Sequence, residues 1–278
     1  MIKATIKIAA DTHVGYVRSN NEDSFILCSN FDPADWHSQK TALEVNLDKY
    51  GVLAVVADGM GGMMAGEVAS AIAIDTIKNQ FTLERIKKVS ESEEQIFQII
   101  EETVSVANNN ILNHSRVHPE TKGMGTTLVM AWIINGKAYI CWCGDSRCYV
   151  YNDHRGLIQL SHDHSYVQEL VDIGQLDSEN MHSHPYANII TRCLGDAGNA
   201  AQPECHVYNM NDGDIILLCS DGLTTMCRDK EIEQIMKEHD PAVCCENLIS
   251  SALKRGGYDN VTIAMCEYRT EKGWKKED

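Results

Sequence analysis

The sequence predicts a layered α/β sandwich of antiparallel strands and covering helices rather than a doubly wound parallel sheet. Short apolar runs rich in Val, Ile and Tyr recur along the chain, each bounded by Gly, Asn or Asp, as is typical of strands. Asn135-Gly136 lies between two of these runs, and this dipeptide favours a tight antiparallel hairpin because both residues accept positive φ. Other segments have apolar residues three or four positions apart, which predicts amphipathic helices that can cover the sheets.

The first half of the chain contains one clear strand and two long helices. The strand is the apolar run 52–57, which ends at Asp58-Gly59. The first helix is indicated by alanines every four positions from Ala65, and the second by apolar residues at helical spacing from Ile96 to Ile111. The acidic residues of segment 90–102 are interpreted as a solvated helix face, with a docking surface for a basic partner as the alternative.

The second half is richer in strands. The hairpin strands are the runs 127–134 and 138–143, and further strands are predicted at 149–151, 215–219 and 261–266. Two shorter helices are expected at 166–173 and 242–254. Asp240-Pro241 is a start signal for the second of these helices, and Gly256-Gly257 is a stop signal.

The composition excludes several classes of protein. The 278 residues are 44% hydrophobic, enough for a sizeable core. No repeat or linker divides the chain, so we expect one domain over 1–268 and a charged tail over 269–278. Lys and Arg number 24 against 40 Asp and Glu, a net charge of −16, so neither nucleic acid nor an anionic membrane is expected as a partner.

Cysteine usage predicts the cellular compartment. The eleven cysteines are odd in number, lie mostly in apolar runs and form no CxxC pair, so we interpret them as buried thiols. The sequence shows no N-terminal apolar segment of signal-peptide length, and no run approaches membrane-spanning length. We therefore expect a cytoplasmic protein, and a monomer.

Carboxylates recur where the predicted strands begin and end. Asp58 and Asp221 directly follow two strands, and Asp145 follows a third after one glycine. Asp259 precedes the last strand, and Glu22-Asp23 precedes the apolar run 24–27. Any one Asp-Gly is more often a simple turn. As a set, clustered carboxylates repel one another unless a cation neutralises them, and hard oxygen ligands favour Mg²⁺ or Mn²⁺ over zinc.

Other chemistries fit the sequence less well. The glycine-rich turn after Asp58 has Met64 where a dinucleotide motif has its third glycine, and no GxxxxGK[ST] loop occurs. The histidines 162, 164, 182 and 184 lack the partners of a tetrahedral zinc site, so we interpret them as solvated or structural. Ser146 and Ser220 are not in a GxSxG elbow, which disfavours serine hydrolysis.

Eight short motifs in order make the chain similar to a known family. They are the segments 15–23, 57–62 with 65–67, 123–127, 144–147, 163–165, 184–185 with 190–192 and 194–195, 220–223 and 257–262. The sequence resembles the metal-dependent protein serine/threonine phosphatases of the PP2C type, in their compact bacterial form. The resemblance implies an α+β fold, a four-layer α-β-β-α sandwich of two antiparallel sheets flanked by helices, with a Mn²⁺ or Mg²⁺ centre of two ions and a weaker third.

The resemblance also implies roles for particular residues. Asp58 corresponds to the carboxylate that bridges both ions, and Gly59 to the residue that offers its carbonyl. The other implied metal ligands or holders of metal-bound water are Asp221, Asp259, Glu22 and Asp23, with Asp145 for the third ion. Arg18 corresponds to the side chain that grips the substrate phosphate, a task suited to a planar guanidinium.

Three positions depart from the family pattern. Met60 stands where many animal members have a histidine; a residue other than histidine is usual here in bacterial members. Thr225 stands where a carboxylate commonly helps to hold the third ion. The segment 174–187 corresponds to a variable flap. The expected function is hydrolysis of phosphoserine and phosphothreonine by metal-bound water, opposing a bacterial-type kinase on shared protein substrates. The alternative is a pseudophosphatase that binds phosphoproteins without turnover.

Overall fold

The computed structural model describes residues 4–61, 65–89, 92–196, 198 and 201–271. Several predictions fall elsewhere. Gly62 and Met64 of the glycine-rich turn, the first two residues of the acidic segment 90–102, the side chain of His182 and the tail beyond residue 271 lie outside the described residues.

The strands form two antiparallel sheets. Sheet I has the order β10-β9-β12-β13-β1-β4, and sheet II has the order β11-β8-β7-β5-β2-β3, with β6 paired to β5. The bounds are β1 Ala4–His13, β2 Asp23–Phe31, β3 Ala34–His37, β4 Thr41–Asn46, β5 Val52–Met60, β6 Gly125–Thr126, β7 Leu128–Ile134, β8 Lys137–Cys143, β9 Arg147–Asn152, β10 Gly156–Gln159, β11 Glu204–Asn209, β12 Ile215–Cys219 and β13 Val261–Thr270.

Helices cover the outer faces of both sheets. Their bounds are α1 Ala65–Gln80, α2 Leu83–Val89, α3 Glu93–Val117, α4 Tyr166–Asp172, α5 Asp221–Thr224, α6 Asp229–Met236 and α7 Pro241–Lys254, with short 3-10 helices at Pro119–Thr121 and Ser178–Ser183. Helices α1 to α3 pack on sheet II, and α5 to α7 pack on sheet I. A third apolar core, including Ile8, Leu27 and Val129, fills the space between the sheets. The four-layer α-β-β-α sandwich is confirmed.

Local signals placed several elements correctly. Ile134 pairs with Lys137 across the β7–β8 hairpin, and the two turn residues have φ values of 53° at Asn135 and 73° at Gly136, as expected for such a turn. At the start of α7, the Asp240 side chain accepts hydrogen bonds from the amides of Ala242 and Val243, a normal helix N-cap.

Other elements were missed or have different bounds. The sequence patterns did not predict β1, β3, β4, β6, β10, β11, α2, α5 or α6. Strand β5 continues to Met60, beyond the predicted 52–57, because Gly59 and Met60 pair with Thr126 and Gly125 of β6. Asp221 is the first residue of α5, so this Asp-Gly starts a helical turn. Strand β13 continues through Thr270, two residues into the segment assigned to the tail.

Candidate active site

The antiparallel register brings the predicted carboxylates to one end of the sandwich. Strand β2 begins where β5 ends, so Asp23 lies directly opposite Asp58. In sheet I, β12 ends beside the start of β13, because Cys219 pairs with Ile263. Asp221 follows the first of these strands and Asp259 precedes the second, so the two are neighbours although 38 positions separate them in the sequence.

Seven of the eight predicted site residues line one cleft of about 310 Å³: Arg18, Glu22, Asp58, Gly59, Asp145, Asp221 and Asp259. The eighth, Asp23, is 7% exposed and accepts a hydrogen bond on Oδ2 from the Ser220 hydroxyl (2.7 Å). The cleft is also lined by Met60, Gly61, Asn188, Ile190 and Cys193. No role was predicted from the sequence for Asn188, Ile190 or Cys193.

Two glycines allow the backbone segments of the site to approach one another. A Cβ on Gly59 would lie 2.1 Å from the Gly66 carbonyl oxygen and 2.5 Å from that of Glu22, and a Cβ on Gly222 would lie 1.9 Å from the Asn260 carbonyl oxygen. Real Cβ atoms do not approach backbone this closely, so any side chain here would push the strand ends apart. These glycines are therefore packing requirements, the first within β5 and the second in the first turn of α5.

Asn260 organises the loop that carries Arg18 and Glu22. Its side-chain oxygen accepts a hydrogen bond from the Glu22 amide (2.8 Å), and its side-chain nitrogen donates to the carbonyl oxygens of Val14 (2.9 Å) and Asn20 (3.0 Å). Asn260 is 4% exposed. Asn260 lies in the motif 257–262, but no separate role was predicted for it from the sequence.

Thr127 holds the backbone of Asp58 from the other side. Its hydroxyl accepts a hydrogen bond from the Asp58 amide (3.0 Å), and its own amide donates to the Asp58 carbonyl oxygen (2.8 Å). The same hydroxyl shares a hydrogen bond of 2.7 Å with Ser146, the residue after Asp145. This buried hydroxyl pair therefore ties the Asp58 backbone to the residue next to Asp145.

The carboxylates of the site are poorly solvated and repel one another. Desolvation, with the charge of Asp259 as the second cause, raises the pKa of Asp221 to about 6. Burial raises the pKa of Asp23 to about 7, although hydrogen bonds from Thr262 and Ser220 oppose the rise. Desolvation is the main cause that raises the pKa values of Asp58 and Asp145 well above the ordinary value. The second cause is the charge of Asp23 for Asp58 and the charge of Asp221 for Asp145.

This donor set fits a hard divalent cation. The Oδ1 atoms of Asp23 and Asp145 are buried and have no hydrogen-bond partner among the described residues. A buried carboxylate oxygen without a partner is costly. A cation would partner such atoms and cancel the mutual repulsion of the cluster. Among the residues that the structure describes, no three His, Cys, Asp or Glu side chains already converge on a single point.

Arg18 supplies the positive charge at the mouth of the cleft. Its side chain is 51% exposed, and Nη2 lies 2.7 Å from Oδ2 of Asp259. The hydrogen bond to Asp259 is the main cause that raises the pKa of Arg18. The guanidinium is therefore charged, accessible and fixed beside the carboxylates, while its remaining N–H groups are available to a ligand.

A second cavity of about 50 Å³ adjoins the cleft on the side of Asp145. Asp145, Asp221 and Thr225 line it, together with Met181 and Ala187 of the predicted flap. The structure therefore places Thr225 beside both carboxylates, and it places the flap segment 174–187 next to the site.

The histidines have structural roles where their side chains are described. His164 is 4% exposed, and its Nδ1 accepts a hydrogen bond from the Gly144 amide (3.2 Å). Burial lowers the pKa of His164, which keeps the ring neutral. His162 contacts Asp172 (2.8 Å), and His184 packs near Tyr166 and Tyr186.

The cysteines are free thiols, but not all of them are buried. Nine are buried, as expected, whereas Cys193 and Cys205 are half-buried. Cys193 lines the active-site cleft, and no local sequence signal distinguished it from the others. Burial raises its pKa to about 11, so it is a neutral thiol near pH 7.

In the part of the chain that the structure describes, none of the helices has the length and apolar character needed to span a bilayer.

Comparison with known proteins identifies the family. A family model described as protein phosphatase 2C matches residues 39–249. A serine/threonine phosphatase stp of Listeria monocytogenes is 35% identical over 223 residues, which is 80% of this chain and 86% of that protein.

Two solved structures share the whole fold. The serine/threonine phosphatase PstP/Ppp of Mycobacterium tuberculosis matches with a TM-score of 0.77 and 31% identity, covering 95% of this chain and 98% of that one. A catalytic domain of the serine/threonine protein phosphatase PstP in complex with two manganese ions matches with a TM-score of 0.76 and 29% identity, covering 96% and 99%. The family model covers most of the chain and the relatives share its fold, so the chain belongs to the protein phosphatase 2C family.

Proposed function

We propose that this chain is a metal-dependent protein phosphatase that hydrolyses phosphoserine and phosphothreonine in proteins. The observation that carries the proposal is a desolvated carboxylate cluster with the accessible Arg18 guanidinium at its mouth. Within the cluster, buried oxygens of Asp23 and Asp145 have no hydrogen-bond partner among the described residues. A phosphate dianion would be repelled by the carboxylates alone. Divalent cations bound among them would neutralise this charge and place cationic centres beside the phosphate, which makes the cleft attractive to it.

The cleft residues divide into those that would hold metal and those that would hold substrate. We assign Asp58, the Gly59 carbonyl, Asp221 and Asp259 to two Mn²⁺ or Mg²⁺ ions, consistent with the two manganese ions of the PstP structure. Glu22 and Asp23 are assigned to the water around these ions, and Asp145 to a weaker third ion. When bound, such ions supply Lewis acidity and lower the pKa of water, so that water can attack phosphorus at neutral pH.

Arg18 binds and orients the phosphoryl group. Its planar guanidinium can donate two parallel hydrogen bonds to phosphoryl oxygens, which fixes the direction of the scissile bond. In the structure the guanidinium is anchored by Asp259 through Nη2. This anchor limits the rotamers of a half-exposed side chain and so reduces the entropy lost on substrate binding.

The proposed substrates are phosphorylated proteins that a bacterial-type serine/threonine kinase modifies, with the kinase itself among them. The relatives named serine/threonine phosphatases support this class of substrate. The net charge of −16 favours neither nucleic acid nor an anionic membrane as a partner. We place the enzyme in the cytoplasm and treat it as a monomer.

One assay tests the proposal. Purified protein is stripped of metal, and hydrolysis of p-nitrophenyl phosphate and of a phosphothreonine peptide is followed before and after addition of Mn²⁺ or Mg²⁺, and again after EDTA. We expect turnover with metal and none after chelation. Full turnover in a verified metal-free sample would refute metal dependence. Phosphopeptide binding without turnover in saturating Mn²⁺ would instead favour the phosphoprotein-binding regulator.

A further inference from the structure

A second groove opens directly beside the active-site cleft; we call it the side groove. It has a volume of about 580 Å³, compared with about 310 Å³ for the cleft. Its walls are the C-terminal turns of α3 around Leu112 and Arg116, the loop 122–125 and the segment 193–196. A space of this size can hold several residues of an extended peptide.

The side groove is continuous with the active-site cleft. Met60 and Cys193 line both. They meet over Gly125, where a Cβ would lie 3.3 Å from the sulfur of Cys193 and 3.6 Å from Cγ of Met60. A polypeptide whose phosphorylated side chain enters the cleft can therefore pass over these two residues into the side groove.

The chemistry of the side groove differs from that of the cleft. The cleft has five carboxylates and one cation, Arg18. The side groove has two exposed cations, Arg116 and Lys122, and one carboxylate, Asp196. Arg116 donates to the neutral side-chain oxygen of Asn113 (3.1 Å), and this contact does not compensate its charge.

The rest of the lining is apolar and adaptable. Leu112 and Met60 are half-buried and contribute apolar surface, and the buried Met124 also lines the groove. Methionine side chains adjust to different partners because they are unbranched and polarizable. Such a surface tolerates varied peptide sequences, while the two cations discriminate by charge. On a chain with a net charge of −16, a groove with a local excess of positive charge favours an acidic ligand.

We propose that the side groove binds the substrate polypeptide next to the phosphorylated residue, and that Arg116 and Lys122 select substrates with Asp or Glu at those positions. The inference rests on the proposed function, since it presupposes a phosphopeptide in the cleft. Arg116 and Lys122 act on specificity and take no part in the chemical step.

The test compares phosphothreonine peptides that differ only in charge. Two series place Asp or Lys at successive positions before and after the phosphothreonine, and kcat/KM is measured with Mn²⁺ for the wild type and for a variant with both Arg116→Glu and Lys122→Glu. We expect the wild type to prefer Asp peptides on one side of the phosphothreonine. In the variant the Asp-to-Lys ratio on that side should fall by about tenfold, the size expected for reversing two partly exposed charges.

Two controls keep the effect local. Hydrolysis of p-nitrophenyl phosphate, which cannot reach the side groove, should be the same in both proteins. A charge-matched variant, Lys78→Glu with Lys237→Glu, alters two exposed cations on α1 and at the end of α6, and it should keep the wild-type peptide ratio. An equal fall in this control would mean that overall charge sets the preference and would overturn the proposal.

The outcomes also separate this inference from the proposed function. If the wild type hydrolyses no phosphopeptide in Mn²⁺, the proposed function itself fails. If the wild type hydrolyses the peptides and the variant shows the same Asp-to-Lys ratio, phosphatase activity stands and the role of the side groove is refuted.

Discussion

Replacing Asp163 with alanine should destabilise the protein severely, because the buried Arg147 guanidinium would lose its close carboxylate partner, and its other carboxylate neighbour, the exposed Asp229, lies 3.9 Å from Nη1. Arg147 Nε donates to both carboxylate oxygens of Asp163 (2.9 Å each) and Nη2 donates to Oδ2 (2.6 Å). The two side chains are only 11% and 5% exposed. Gln159 donates a further hydrogen bond to Asp163 (2.9 Å). Both charged residues lie in family motifs that the sequence analysis identified.

The expected loss follows from the burial of this pair. Breaking a buried ion pair by removing one partner costs about 3–5 kcal/mol. With a urea m-value near 3 kcal/mol/M, the midpoint of unfolding should fall by about 1–1.7 M. Asp163→Asn keeps the shape and one hydrogen-bonding oxygen, so its loss should be smaller. Replacing both partners with apolar residues, Arg147→Met with Asp163→Leu, should recover part of the loss because no unpaired charge remains.

Urea unfolding followed by circular dichroism measures these effects. The matched control is Glu84→Ala, which removes an exposed partner of Lys88 in α2 and should leave the midpoint nearly unchanged. If Asp163→Ala unfolds at the same urea concentration as Glu84→Ala, the pair does not stabilise the fold. If the double replacement is less stable than Asp163→Ala, the stated cause, an unpaired buried charge, is wrong.

Three further predictions concern the carboxylate cluster. Asp58→Asn should lower turnover of p-nitrophenyl phosphate with Mn²⁺ on the order of 10³-fold or more, because it removes a charge assigned to both ions. The control Asp75→Asn, on the exposed face of α1, should not lower it. Near-normal turnover of Asp58→Asn would refute the assignment of Asp58. Thr225→Asp should increase the affinity of the proposed third metal site beside Asp145 without changing the first two, because hard cations gain affinity with ligand charge. Identical third-site affinities of the wild type and the variant, measured by calorimetry, would refute the role of Thr225. In EDTA, the free energy of unfolding should fall as pH rises from about 4 to about 7. The folded state raises the pKa of Asp23 from 3.8 to about 7. The folded form therefore binds more protons than the unfolded form across this pH range. Urea unfolding at pH 5 and pH 8 measures that fall, and Asp23→Asn should reduce it; an equal fall in both proteins would exclude Asp23 as the source.

The sequence by itself determined the elements whose signals are local. The β7–β8 hairpin depends on two residues that accept positive φ, and the start of α7 depends on an aspartate that caps its own helix. Each signal acts over a few residues, so it is readable without knowing the fold. The carboxylates next to the strand ends were readable for the same reason, and the order of motifs indicated the family.

The tertiary structure decided how distant segments meet. Arg18 and Asp259 are 241 positions apart, yet they form the ion pair at the mouth of the cleft. Asp23 and Asp58 face each other only because β2 pairs with β5 in this register, and their desolvation depends on the packing around them. Cys193 lines the cleft although its neighbours in sequence carry no signal for this.

The side groove depends on the same kind of long-range contact. Its walls come from α3, the loop 122–125 and the segment 193–196, and no pattern within any one of them predicts a shared space. Composition and periodicity describe each segment's tendency to form a helix or strand. Which side chains share a cleft is set by sheet order and register, because these decide which strand ends and loops lie side by side.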